Sequence, residues 1–307
     1  MTIAALPFVA LLGLFFGSSL VASRFSVGQF DPATYIALRM LVASALCLAV
    51  YLLAGKRLPR DRSLWWRAGL LGLFGTAVPM YCVISSLQYQ SSGVSSLLLA
   101  TGPALTVGMA HFVLPDELLT RRKALGVGLA LGGALLLALS GEDGLPDVQQ
   151  TRPIGYLLVG TGMLFTSVMV IYARKYLRGY DAYDVGSIRM FTTAAVMLPL
   201  SLLTVGFDVS AVDGAGLLAL GYAALVGTFL GFMLSFYNIK RFGATAAVMA
   251  SYIIPIVAGV GGVVALNEEF TERMLIGMAI IVAGIALLQE VKKPAGIWRR
   301  FPHRGSY

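Results

Sequence analysis

The sequence predicts an all-α polytopic membrane protein, with ten transmembrane helices arranged as two inverted five-helix repeats. Three observations predict it. Of 307 residues, 58% are hydrophobic and only 12% charged, against about 25% charged in a soluble domain, so the surface has to face lipid. Ten apolar runs of spanning length, joined by short loops, account for most of the chain. The second half of the chain also repeats landmarks of the first.

The apolar runs cover approximately residues 5–23, 33–53, 65–86, 91–114, 121–140, 154–173, 184–204, 215–237, 244–266 and 273–290. Each approaches the ~20 residues needed to cross a hydrocarbon core. Helices are expected because a lone span must satisfy its backbone hydrogen bonds internally. Barrel strands would alternate apolar and polar residues, and a run such as Leu131–Leu139 does not. The first run ends in Val21-Ala22-Ser23, as a cleavable leader can, but no Lys or Arg precedes it. It is also long for a leader and has a repeat partner, so it is expected to be retained. Cys47 and Cys82 lie within apolar runs and read as small hydrophobes rather than a disulfide or a metal pair. No metal or cofactor is called for.

Net charge is +8. In a membrane protein this points to anionic lipid headgroups rather than nucleic acid. Alternate loops divide the Lys and Arg residues eighteen to three. The rich set includes Lys56, Arg57, Arg60, Arg121, Arg122, Lys123, Arg174, Lys175, Lys240, Arg241 and the 292–307 tail. The poor set holds Arg24, Arg152 and Arg273, with acids such as Glu142, Asp143, Asp147, Asp208, Asp213, Glu268 and Glu269. This split predicts cytoplasmic termini.

At an offset of about 150, Arg24, Asp31, Arg39 and Met40 recur as Arg174, Asp181, Arg189 and Met190. Gly75-Thr76 recurs as Gly227-Thr228, Pro103 as Pro255, and Gly126 and Gly133 as Gly277 and Gly284. The expected division is 1–145, 146–291 and a basic cytoplasmic tail at 292–307. With five spans per repeat, the second enters the membrane from the opposite side. Such inversion is typical of transporters, with the solute held between the halves. A channel would need a filter motif, and an intramembrane enzyme would need converging His, Asp, Glu or Cys residues. Neither pattern is visible.

Two stretches carry a family resemblance. One runs from Ser92-Gly93-Val94 through Gly102-Pro103 to Asp116-Glu117-Leu118-Leu119-Thr120. The other runs from Gly243-Ala244-Thr245-Ala246 through Pro255 to Glu268-Glu269-Phe270-Thr271. The chain resembles the EamA-type members of the drug/metabolite transporter superfamily along essentially its whole length. Through Arg174–Tyr180 and Gly17-Ser18-Ser19 it is most similar to the bacterial aromatic amino-acid and metabolite exporters. Gly17 and Gly102 stand where that family often has tryptophan. The resemblance implies a multi-pass inner-membrane exporter of amino acids, aromatic ones included, and related small metabolites, acting by alternating access. A passive channel, or a carrier of drugs, nucleosides or cofactors, is the alternative. It further implies a basket of helices one to four and six to nine around a central cavity, the cavity lined by helices one, three, four, six, eight and nine. Helices five and ten stand outside it, in a monomer or weak homodimer.

Prolines within apolar runs remove a backbone hydrogen bond and permit bending. Pro103 and Pro255 are therefore candidate cavity walls, and Pro79 a candidate bending point; fixed packing kinks are the alternative. Hydroxyls cluster nearby: Ser18 and Ser19, Ser85 and Ser86, Ser95, Ser96 and Thr101, Thr166 and Ser167, Ser235, Ser251 and Tyr252. Ser18, Ser95, Thr166, Ser167 and Tyr252 form the candidate binding set, unless they bond their own or a neighbouring helix. Met80 and Phe232, with Phe236 and Met249, are candidate adaptable walls. Arg39 and Arg189 each lie about 10 Å inside a span. They are expected either to snorkel to headgroups or to serve a gate by pairing with a loop acid such as Asp31 or Asp181. No Asp or Glu lies at membrane depth, so no built-in proton relay is expected unless Glu268 or Glu269 couples at the surface.

Overall fold

The computed structural model describes residues 3–114, 118–146, 153–242 and 244–288. The expected 292–307 tail, Pro115 to Glu117, Asp147, Arg152 and Gly243 lie outside the described residues. Ten long helices form among those described: α1 (Leu6–Val27), α2 (Pro32–Leu53), α3 (Arg62–Ser86), α4 (Ser92–Val113), α5 (Arg121–Ser140), α6 (Ile154–Tyr176), α7 (Ala182–Thr204), α8 (Gly214–Tyr222, continued by Ala223–Leu230 and Gly231–Phe242), α9 (Ala244–Leu266) and α10 (Glu272–Leu288). Nine are long and apolar enough to cross a membrane over their described residues. The tenth, α10, has 17. The chain is an all-α polytopic membrane protein, and side chains such as Leu53, Phe112, Leu139, Leu203 and Val264 stand exposed on its outside.

Caps set where the helices start, and they recur with the repeat. Asp31 accepts from the Ala33 N–H at 2.7 Å to open α2, and its counterpart Asp181 accepts from Tyr183 at 2.9 Å to open α7. Asp61 and Asp213 cap α3 and α8 in the same way. Thr120 and Thr271 do so for α5 and α10. Each side chain satisfies an N–H that the first helical turn leaves unpaired.

Packing between helices is also paired. Helix α1 lies on α8 and α9, as α6 lies on α3 and α4. Helix α2 contacts α8 as α7 contacts α3, while α2–α7, α4–α9 and α5–α10 each pair with their own counterpart. The two halves therefore interdigitate, and the basket is built largely from contacts between repeats. Alternation of helix direction sorts the loops into two sets. The basic end carries the α2–α3, α4–α5, α6–α7 and α8–α9 connections, and the acidic end carries the others.

Two helices depart from regular winding. Helix α3 widens into a π-helical turn at Leu73–Ala77, and α8 does so at Ala223–Leu230. These stretches contain the repeated Gly75-Thr76 and Gly227-Thr228. Helix α4 breaks at Thr101, whose hydroxyl donates to the Leu98 carbonyl at 2.8 Å, and restarts at Gly102-Pro103. Its first segment, Ser92–Ala100, packs along α9, whereas Gly102–Val113 packs on α6 and α5.

The acidic end is tied together by Glu268. Its buried carboxylate accepts from the Ser92 N–H at 2.8 Å and the Ser92 hydroxyl at 2.7 Å, at the N-terminus of α4. Arg24 stands 3.9 Å away. A carboxylate there meets the positive end of the helix dipole. Glu268→Ala is expected to cost about 2 kcal/mol, seen as a lower unfolding temperature in detergent, with Glu268→Gln retaining part of the loss.

Candidate functional site

A cavity of about 240 Å³ lies between the repeats. Phe16, Ser19, Leu20 and Ser23 of α1 face it, at the i, i+3, i+4, i+7 spacing of one helix face. Met80, Val83 and Ile84 of α3 do likewise, with Leu99 and Ala100 of α4 and Ser251 and Ile254 of α9 completing most of the wall. Among the described residues, the one charged group on this wall is Arg39 of α2.

Arg39 is 7% exposed. Its Nε donates to Thr228 Oγ1 at 2.7 Å, Nη1 to Ser23 Oγ at 2.9 Å and Nη2 to Ser19 Oγ at 2.9 Å. The guanidinium also lies 5.9 Å from the Tyr35 ring centroid. All of these partners are neutral. Among the described residues no carboxylate pairs with Arg39. Asp31 is engaged in capping α2, so neither the expected loop-acid pairing nor snorkelling to headgroups describes this side chain. An arginine at this depth is costly unless something compensates it.

The close approach depends on Gly227, where an added Cβ would overlap the Ser19 hydroxyl and sit 3.2 Å from Arg39 Nη2. The repeated Gly-Thr pair therefore has a physical use: glycine admits the α1 hydroxyl, and threonine receives the arginine. Arg189 repeats the arrangement. Its Nε donates to Thr76 Oγ1, its Nη2 to the Gly75 carbonyl at 2.8 Å, and its guanidinium lies 5.1 Å from the Phe232 ring centroid. Each arginine thus clasps a π-helical turn of the opposite repeat. The two clasps lie toward opposite ends of the molecule, Arg39 on the acidic side and Arg189 on the basic side. Asp181, like Asp31, caps a helix and does not pair with its arginine.

The other sequence-derived candidates scatter. Met80 lines the cavity. Ser18 does not: its hydroxyl donates to the Leu14 carbonyl at 2.5 Å and meets Tyr222 Oη at 2.8 Å, while adjacent Ser19 faces inward. Ser95 is buried and accepts from Gln90 Nε2 at 2.9 Å. Thr166 donates to its own helix at Gly162, and Ser167 accepts from Thr106 at 3.0 Å across the α4–α6 contact. Tyr252 packs against the α4–α5–α10 core, while adjacent Ser251 faces the cavity. Phe232 packs with Ala43, Cys47 and Met190 between α2 and α7. Pro103 opens the second segment of α4, and Pro79 follows the widened turn of α3. Pro255 lines an outer apolar groove with Val260, Val264 and Leu275 rather than the cavity. The wall also draws on α2, and not on α6 or α8 as the resemblance implied.

Comparison with known proteins adds four findings. The profile of the EamA-like transporter family matches residues 3–139 and again residues 153–289. The inner membrane transporter YedA of Escherichia coli is 27% identical over 285 residues, covering 92% of this chain and 90% of YedA. A Salmonella typhimurium protein named as a probable amino-acid metabolite efflux pump is 25% identical over 287 residues, 91% of this chain and 92% of its own. Among solved structures, one crystal structure 23% identical in sequence superposes with a TM-score of 0.66 over 91% of this chain and 95% of that one.

Proposed function

Because the chain belongs to the EamA-like transporter family, we propose that it is an alternating-access carrier that exports amino acids and related small metabolites across a bacterial inner membrane. The observation that carries this reading is the Arg39 cavity, walled mainly by the first repeat with Ser251 and Ile254 of the second, and lined by a cation, hydroxyls and apolar side chains. That combination suits a small amphipathic solute with an acidic head. The volume of about 240 Å³ falls below the ~300–1,000 Å³ of sites that take drug-sized ligands, which favours metabolites over drugs or dinucleotides. The efflux name of the Salmonella relative supports export.

The positive-inside rule places the basic end and both termini in the cytoplasm. The Glu268 tie and the α4–α9 contact then lie on the far side, where they close the basket. Helix α4 leaves α9 beyond Thr101, toward the cytoplasm. Among the described residues no Asp or Glu lines the cavity, which fits movement of the solute down its own gradient unless Glu268 or Glu269 couples at the surface. The experiment is flux into liposomes holding the purified protein, across a panel of amino acids and metabolites. Saturable flux with trans-stimulation by unlabelled solute is expected. Linear, non-saturating flux would instead indicate a channel.

A further inference from the structure

We infer that the solute is a monocarboxylate with an apolar body and no free ammonium group, such as a 2-oxo acid or an N-acyl amino acid, and that Arg39 selects it. This rests on the carrier reading above and, within it, assigns the solute to the related small metabolites rather than to the free amino acids.

Arg39 lacks a negative partner among the described residues. Its partners Thr228, Ser23 and Ser19 are hydroxyls, so its charge is uncompensated within a buried wall. A guanidinium carries more N–H donors than these three acceptors use. The donors left over can meet a carboxylate, and charge-assisted bonds of that kind are the strong ones. Such a ligand supplies the missing negative charge.

The same wall offers an ammonium no anionic partner. Among the described residues it contains no Asp or Glu. The Ser23 hydroxyl already accepts from Arg39 and donates to the Ser19 carbonyl at 2.7 Å, and the Ser19 hydroxyl is held by Arg39 at 2.9 Å. Ser251 is the remaining hydroxyl. Most of the surface is Phe16, Leu20, Met80, Val83, Ile84 and Ile254. A zwitterion would have to strip water from its cationic end without an anionic partner, which is costly. A 2-oxo acid of the same shape presents a neutral carbonyl there instead.

The test compares matched solutes on the full-length protein: phenylalanine, phenylpyruvate and phenethylamine, then leucine and its 2-oxo acid. Ligand-induced thermal shift in detergent gives apparent affinity, and liposome flux gives transport. The oxo acids are expected to bind at least about tenfold more tightly than the matched amino acids, and the amine to give no shift. Arg39→Met should erase this preference, and Arg39→Lys should retain part of it. Equal or tighter binding of the amino acids by the unaltered protein would overturn the inference, as would a preference that survives Arg39→Met. Tight oxo-acid binding without saturable flux would leave the inference standing and overturn the carrier reading. Saturable amino-acid flux without oxo-acid binding would do the reverse.

Discussion

Replacing Arg39 with methionine is expected to abolish transport while leaving the protein folded. Each charge-assisted hydrogen bond contributes about 1.5–3 kcal/mol, so losing the solute's contact to the guanidinium lowers apparent affinity roughly 10- to 150-fold. Stability should respond the other way. The cation is buried against Thr228, Ser23 and Ser19 with no carboxylate among the described residues to offset it. Replacing buried ionic groups by apolar ones of similar volume is often neutral or stabilising. Arg39→Met should therefore unfold within about 1 kcal/mol of the parent, or above it. A purely structural arginine would show the opposite pairing, with lost stability and flux falling only in step with the amount of folded protein. Arg39→Lys keeps the charge but cannot fork to two acceptors, so it should recover a fraction of the flux.

The second large effect is expected at the crossing of α5 and α10. A Cβ at Gly284 would stand 2.5 Å from the Ala130 nitrogen and 2.7 Å from the Gly126 carbonyl. These are backbone atoms, so no side chain can swing aside. A Cβ at Gly126 would likewise stand 2.7 Å from the Gly284 carbonyl, whereas at Gly133 and Gly277 it would meet the Ile281 and Leu137 side chains at 2.8 and 2.6 Å. Small residues at such a crossing are how helices associate where lipid provides no hydrophobic drive. Gly284→Leu should cost about 3 kcal/mol or more, seen as aggregated material in detergent or a lower unfolding temperature. Gly128→Leu is the matched control, because nothing lies within 4 Å of a Cβ there. It should be close to silent.

These two sites show how much was legible in the sequence. The ten spans followed from hydropathy because each must be apolar over a fixed length. The glycine pairs and the Arg39/Arg189 pair stood out because the repeat marked them. Their partners were less visible. The Gly-Thr pairs were noticed as repeat landmarks, but only folding brings Thr228 of α8 to Arg39 of α2. The cavity-facing hydroxyls lie one residue from two of the preferred candidates: Ser19 and Ser251 face the cavity, while Ser18 and Tyr252 do not. One position along a helix turns a side chain by about 100°, and a membrane helix polar on one face and apolar on another for several reasons gives no phase to choose by. Pro255 misled similarly, because a proline bends a helix whichever side it faces. Here that side is the outer groove.

The neighbours Ser18 and Ser19 supply the most direct measurement of whether this cavity is the solute's route. In a Cys47→Ala, Cys82→Ala background reconstituted into liposomes, Ser19→Cys and Ser18→Cys are labelled with a membrane-impermeant thiol reagent, with and without saturating solute. The account predicts that solute slows labelling of Ser19→Cys and leaves Ser18→Cys unchanged. A solute that is transported yet fails to protect Ser19→Cys, or that protects both positions equally, would contradict it.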